Sequence, residues 1–174
     1  MKENKEDMMD AISTRRSIRK YTPEKVPGKL VHEILRAAMN APSAGNQQPW
    51  QFVVIDKRRI LDQIPSFHKY AGMMKEAQAA ILVCGDLELE THRDFWVQDC
   101  SAATQNILLA AHALGLGAVW LGVYPREDRV EGLRKLLRIP KNAIPFSLIP
   151  LGWPAENPPP ARRFKSGRVH RNGW

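Results

Sequence analysis

Ala41-Pro42-Ser43-Ala44-Gly45-Asn46-Gln47-Gln48-Pro49-Trp50-Gln51-Phe52-Val53-Val54-Ile55 carries the end of a helix, a polar loop and the start of a strand. Before it, Leu30, Ile34, Ala37, Ala38 and Ala41 recur at helical spacing, which predicts an amphipathic helix over 29–40. That helix stops before Pro42, because a residue preceding proline is biased away from the helical region. Within the loop, Ser43, Asn46 and Gln48 offer neutral hydrogen-bonding groups, and Gly45 permits backbone angles that other residues avoid. Trp50 to Ile55 is rich in β-branched and aromatic residues and reads as a strand, with Trp50 as a core anchor.

The same alternation of helix and strand continues in both directions. Residues 57–64 read as a short helix closed by Pro65, and 73–77 as a helical turn. Ala80-Ile81-Leu82-Val83-Cys84-Gly85 reads as a buried strand. Residues 95–114 hold the longest helical pattern, with Ala103, Ile107, Ala110, Ala111 and Leu114 on one broad face and Gly115 as its C-terminal cap. A strand over 118–123, a charged helix over 126–137 and a strand over 146–151 follow. Upstream, residues 10–15 predict a short helix with Asp10 as its N-cap, and 21–27 an irregular connection. The first ten residues are expected either to fray or to begin that helix. Beyond Gly152, Pro154 and Pro158-Pro159-Pro160 exclude a helix and predict an extended arm. Helices and strands mixed in this order give an α+β or three-layer sandwich class.

Composition narrows the functional classes. The chain has 174 residues, 44% hydrophobic and 25% charged, which suits one soluble globular domain. No apolar run approaches the ~18 residues a membrane helix requires, so no membrane partner is expected. The N-terminus, Met1-Lys2-Glu3-Asn4-Lys5-Glu6-Asp7, is charged and lacks the apolar stretch of a secretory signal, so the expected address is the cytoplasm. Cys84 and Cys100 form no CxxC and no Cys/His set; they read as buried free thiols, with no metal expected. His32, His68, His92, His112 and His170 are scattered, and His112 lies within an apolar helix as a core residue. Asp86, Glu88 and Glu90 alternate with leucines as a solvated edge or loop. No triad appears, and no catalytic side chain is expected.

The formal charge is +8. It concentrates at two ends, with Arg15, Arg16, Arg19 and Lys20 in one group and Arg162, Arg163, Lys165, Arg168 and Arg171 in the other. Such a charge suits either nucleic acid or an anionic small ligand. No basic helix face and no interleaved aromatics are clear, so nucleic acid is not the expected partner. Arg15-Arg16-Ser17-Ile18-Arg19 packs three guanidiniums and a hydroxyl into five residues. Such a cluster can hold a phosphate; the alternative is a solvated basic stretch. The C-terminal group either converges on the same anion or forms a solvated tail. Gly115-Leu116-Gly117 resembles the opening of a dinucleotide fingerprint, but Trp120 stands at the third glycine position. The block also leads from a helix into a strand, the wrong order, which excludes a dinucleotide-binding βαβ unit.

Four blocks taken in order carry a family resemblance: Arg15 to Arg19, Pro42 to Trp50, Gly115 to Gly122, and Phe164-Lys165-Ser166-Gly167-Arg168-Val169-His170. The chain resembles the short, single-domain members of the FMN-dependent nitroreductase family, nearly over its full length. The resemblance implies a three-layer α/β/α sandwich with a mostly antiparallel central sheet. It implies one domain over 1–174, with the extended arm from about 153. It also implies a homodimer with FMN at the subunit interface. By resemblance, Arg15 and Ser17 hold the phosphate and ribityl end, Arg16 contributes backbone or ribityl contacts, and Arg19 approaches the pyrimidine edge. Pro42, Ser43, Ala44 and Asn46, with Gln48, touch the FMN of the other subunit. Backbone groups at Trp120, Leu121 and Gly122 lie beside the isoalloxazine, with an N–H near flavin N5. Some family members have an acidic residue where Leu121 stands; a backbone donor does not depend on that side chain. Arg168, then Arg163, supplies a further phosphate contact. Phe95 and Trp96 either roof the flavin against an aromatic substrate or pack in the core.

The activity so implied is NAD(P)H oxidation with ping-pong hydride transfer through FMN to a nitroaromatic, quinone or other conjugated acceptor. Relatives within the family also dehalogenate aromatics or cleave the flavin. The rival readings are a non-catalytic FMN carrier and a basic protein serving nucleic acid.

Overall fold

β-branched segments and proline placement together set the sheet. The computed structural model describes residues 8–174, and all strand positions fall within them. β1 (Trp50–Ile55) pairs with β2 (Ala79–Asp86), and β2 pairs with β5 (Ala143–Gly152). The far edge of β5 takes two short strands, β3 (Gly117–Ala118) and β4 (Leu121–Gly122). Every pairing is antiparallel.

The single strand expected over 118–123 is therefore two strands, and the register supplies the reason. Ala118 faces Leu151 and Leu121 faces Leu148, so both pieces keep one alignment along β5. That alignment sets Val119 opposite Pro150. Proline has no N–H to donate, so the ladder lapses there and resumes at Leu121.

Alternation along the central strands divides the core. Ile81, Val83, Ile149 and Leu151 face one side of the sheet, where α2 (Gly28–Met39) and α4 (Trp96–Ala113) cover them. Ala80, Leu82, Cys84 and Leu148 face the other, under α3 (Arg58–Leu61) and α5 (Glu127–Leu137). Helices on both faces of one antiparallel sheet make the expected three-layer α+β sandwich. α1 (Met8–Thr14) lies on α4, where Thr14 Oγ1 is 2.9 Å from His112 Nε2. No helix among the described residues is long and apolar enough to cross a membrane.

Several local expectations are corrected. Asp10 is not an N-cap: it sits inside α1, and its carbonyl accepts Thr14 Oγ1–H at 2.6 Å. Residues 1–7, and the fraying expected there, lie outside the described residues. The short helix over 57–64 ends at Leu61, and Pro65 does not close it but lies within a 3-10 turn, Ile64–Ser66. The turn at 73–77 is a 3-10 turn over Gly72–Lys75. β5 begins at Ala143, three residues before the expected start at Phe146. α4 ends as the sequence predicts. Gly115 takes φ +77° and donates to His112 O at 2.9 Å, while Leu116 N–H reaches Ala111 O at 2.8 Å, a Schellman closure.

Both cysteines are buried and free. Burial pushes the Cys84 thiol up to about 12 and the Cys100 thiol higher still.

Candidate functional site

Residues Arg15 to Tyr21 run along the outer edge of the sheet. Ile18 N–H donates to Ala118 O at 3.0 Å, and the buried Tyr21 hydroxyl donates to Ile18 O at 2.7 Å. Gly117 permits this approach, because a Cβ there would stand 2.6 Å from Ile18 Cγ2. The arm fixes the other side: Thr22 N–H donates to Trp153 O and Ala155 N–H to Lys20 O, each at 2.9 Å. The Glu156 carboxylate accepts the backbone N–H groups of Arg19 and Lys20. A basic loop is thus held by its backbone on both sides, which leaves its guanidiniums to point elsewhere.

Those guanidiniums go to separate places. Arg15 lines a pocket of about 690 Å³ with Ile12, Gln105, Arg162, Arg163 and Phe164. Arg19 lines a second pocket of about 360 Å³ with Trp120, Leu121 and Gly122. Arg16 lies in neither; it lines a recess with His112, Pro154 and Asn157. Ser17 is half-buried beside them. Arg168 is exposed on the arm, in the 3-10 turn Ser166–Arg168.

The Arg15 pocket is electrostatically incomplete. Among the described residues, Arg15 Nη1 is buried with no hydrogen-bond partner. Burial lowers the Arg15 pKa, and the nearby charges of Arg163 and Arg16 lower it further. A buried unpaired donor costs about 1–3 kcal/mol or more when charged, so cations gathered in this way call for an anion. A phosphate supplies both the charge and the acceptor oxygens.

The Arg19 pocket is aromatic and tightly held. Trp120 packs edge-on against Phe146 at 5.8 Å between ring centroids, and Phe146 against Trp96 at 5.9 Å. Trp96 meets Tyr124 at 4.9 Å and is buried, so of the two aromatic candidates on α4 only Phe95 is presented to solvent, at 45% exposure. Beneath the pocket, His68 Nε2 is 3.1 Å from Gly122 O, and Arg129 Nη1 donates to the same carbonyl at 2.7 Å. Burial, then the Arg129 charge, holds the His68 pKa below its ordinary value. The neutral ring can therefore donate through Nε2–H and fix the Gly122 peptide.

The loop after α2 is fastened to the start of α4. The buried Asp99 carboxylate accepts Ala44 N–H at 3.0 Å and Gln47 Nε2–H at 2.7 Å. Gln47 Oε1 in turn accepts the N–H groups of Thr91 at 2.9 Å and His92 at 2.8 Å. Gly45, Asn46 and Gln48 all take positive φ, at 53°, 57° and 48°. Left-handed conformations at Asn46 and Gln48, on either side of a right-handed Gln47, are held only where the surroundings impose them. Ser43 Oγ accepts Gln48 N–H at 3.0 Å, while Pro42, Asn46 and Gln48 remain exposed. The segment Pro42 to Gln48 lines neither the Arg15 nor the Arg19 pocket of its own chain.

Sequence reasoning missed Gln47, Asp99, His68 and Arg129, and Tyr70, which lines the Arg19 pocket beside His68 and Arg129. Asp99 did leave a signal: it is a carboxylate on the same helical stripe as Trp96, Cys100, Ala103 and Ile107. A charge on an apolar stripe requires a buried partner. His68, Tyr70 and Arg129 left none, since long-range packing alone brings them together.

Comparison with known proteins identifies the family. The model of the Nitroreductase family matches residues 12–71 and 63–153. A protein of Methanothermobacter thermautotrophicus, provisionally named an NADH dehydrogenase/NAD(P)H nitroreductase, is 57% identical over 99% of this chain and 91% of its own length. A Parabacteroides distasonis crystal structure under the same provisional name has a TM-score of 0.92 at 41% identity, covering 96% of this chain and 98% of its own. A nitroreductase, also provisionally so named, from Desulfovibrio desulfuricans was solved in complex with FMN. It has a TM-score of 0.83 at 35% identity, covering 97% and 98% of the two chains. The chain belongs to the nitroreductase family of oxidoreductases.

Proposed function

We propose that this protein is an FMN-dependent NAD(P)H oxidoreductase that works as a homodimer. The observation that carries the reading is Arg15. Its buried Nη1 has no hydrogen-bond partner among the described residues, and Arg15 lines one pocket with Arg162 and Arg163, a set of cations that fits an anion. The FMN complex of the Desulfovibrio relative supports a phosphate of that cofactor as the anion.

On this reading Arg15, Arg163 and Ser17 hold the phosphate and ribityl end, and Arg168 adds a cation from the arm. Arg19 stands at the pyrimidine edge beside Trp120, Leu121 and Gly122. A cation there stabilises negative charge at that edge and so favours the reduced cofactor. The Gly122 peptide, clamped by His68 and Arg129, presents rigid backbone groups to the ring. FMN supplies the redox chemistry when bound, taking hydride from NAD(P)H and passing it to a nitroaromatic, quinone or other conjugated acceptor. The protein contributes position, electrostatics and a slot for flat molecules.

The homodimer follows from the separation of the parts. Pro42 to Gln48 forms a partly exposed loop that lines neither the Arg15 nor the Arg19 pocket of its own chain, so it is assigned to the cofactor of a partner. The arm leaves Phe164 and Val169 exposed, and α1 leaves Met8, Met9 and Ile12 exposed, surface that a second copy would cover.

The test is an absorbance spectrum of the purified protein, before and after anaerobic NADPH and NADH. Flavin bands that either nucleotide bleaches are expected. No flavin, and no uptake of added FMN, would overturn the assignment. Flavin that neither nucleotide bleaches would make the protein a carrier.

A further inference from the structure

Beside the Arg19 pocket lies a further recess of about 360 Å³. Lys69, Tyr70, Arg126 and Arg129 line it, together with Pro65 and Phe67. Tyr70 and Arg129 also line the Arg19 pocket, so the two spaces adjoin. Tyr70 is 59% exposed between two cations, with Lys69 Nζ 4.9 Å and Arg129 Cζ 5.4 Å from its ring centroid.

Among the described residues the charges here are only partly offset, by Asp128 and by Glu127 in the first turn of α5. Asp128 also lines the recess. Among the described residues, however, none of Lys69, Arg126 and Arg129 forms an ion pair within 4.0 Å. Arg126 is the N-cap of α5, so the positive end of that helix dipole opens on the same space. Arg129 commits Nη1 to Gly122 O and keeps its other donors. Three cations against one lining carboxylate, next to the pocket assigned to the cofactor ring, describe a place for the phosphate-bearing end of a ligand whose own ring lies over that cofactor.

We propose that Lys69, Arg126 and Arg129 bind phosphate groups of the nicotinamide nucleotide donor and make this enzyme prefer NADPH to NADH. The inference rests on the oxidoreductase reading above. NADPH differs from NADH by one phosphate, and that phosphate is the group a partly offset cation cluster can select. The Arg15 pocket is separate, so the phosphates of donor and cofactor do not compete.

The probe is adenosine 2′,5′-bisphosphate, which carries the phosphates without the nicotinamide. Calorimetric titration of the purified protein is expected to show tighter binding of this probe than of adenosine 5′-monophosphate, weakening as salt rises. The double variant K69Q/R126Q is expected to lose about tenfold in affinity for the probe while keeping its FMN content. Both side chains are exposed, so the fold does not depend on them. The ratio of kcat/KM for NADPH over NADH is expected to fall by a similar factor. Unchanged probe affinity in the variant overturns the proposal, and so does displacement of FMN by the probe, which would place its site at Arg15. A protein with no flavin would sink the oxidoreductase reading instead, because the probe titration reads the recess independently of it.

Discussion

Half-buried Arg15 and buried His68 are two titratable groups with opposite needs. Arg15 holds its charge in a place where burial and its neighbours disfavour it, which suits the phosphate role proposed for it. Arg15→Ala is expected to weaken FMN retention by about tenfold or more, read by fluorescence of released flavin. Unchanged affinity would remove Arg15 from the phosphate site. His68 is held neutral, with its pKa depressed below 6.5 by burial and Arg129. As pH falls through that value the unfolded chain takes up the proton first. Stability is therefore full above about pH 6.5 and is lost progressively below it. The melting temperature should fall on acidification, and less steeply in His68→Gln; equal slopes would show that His68 does not govern the loss. Cys84 and Cys100 are buried with raised pKa values. Neither should react with a disulfide reagent at about pH 8 until the chain is unfolded, when both react.

At the scale of elements, the loop before β1 depends on a residue of another element. Asp99, on α4, accepts from Ala44 and from Gln47, and Gln47 also holds the chain at Thr91 and His92. Asp99→Ala orphans these donors and should cost about 1–3 kcal/mol, visible as a lower urea midpoint. A variant as stable as the parent would mean that the loop holds its left-handed residues without α4. Elements with their own periodicity were legible in advance: α2, α4, α5, β1 and β2 fall within two residues of their expected limits. The segment after Gly117 was not. Its β-branched and aromatic residues suit one strand, and only Pro150, on the facing strand, divides it.

At the scale of the molecule, the arm joins two tasks. Tyr21, Thr22 and Glu156 stitch its first residues to the basic loop, and its later residues bring Arg163 to Arg15. Removing residues 158–174 keeps the stitches and discards that cation along with the exposed Phe164 and Val169. The shortened chain is expected to sediment as a monomer, against about twice 19.7 kDa for the intact protein, and to lose FMN. A truncated dimer with full flavin would place both the interface and the phosphate contact elsewhere. The sequence by itself determined the layered class, the helix and strand order, the buried thiols and the basic loop, because local periodicity and proline chemistry act between near neighbours. Tertiary structure alone decided which arginine faces which pocket. It also decided that Trp96 is core while Phe95 is surface, and that His68 and Arg129 clamp one carbonyl. Those outcomes depend on contacts between residues far apart in the chain, and no local pattern encodes where a long side chain ends.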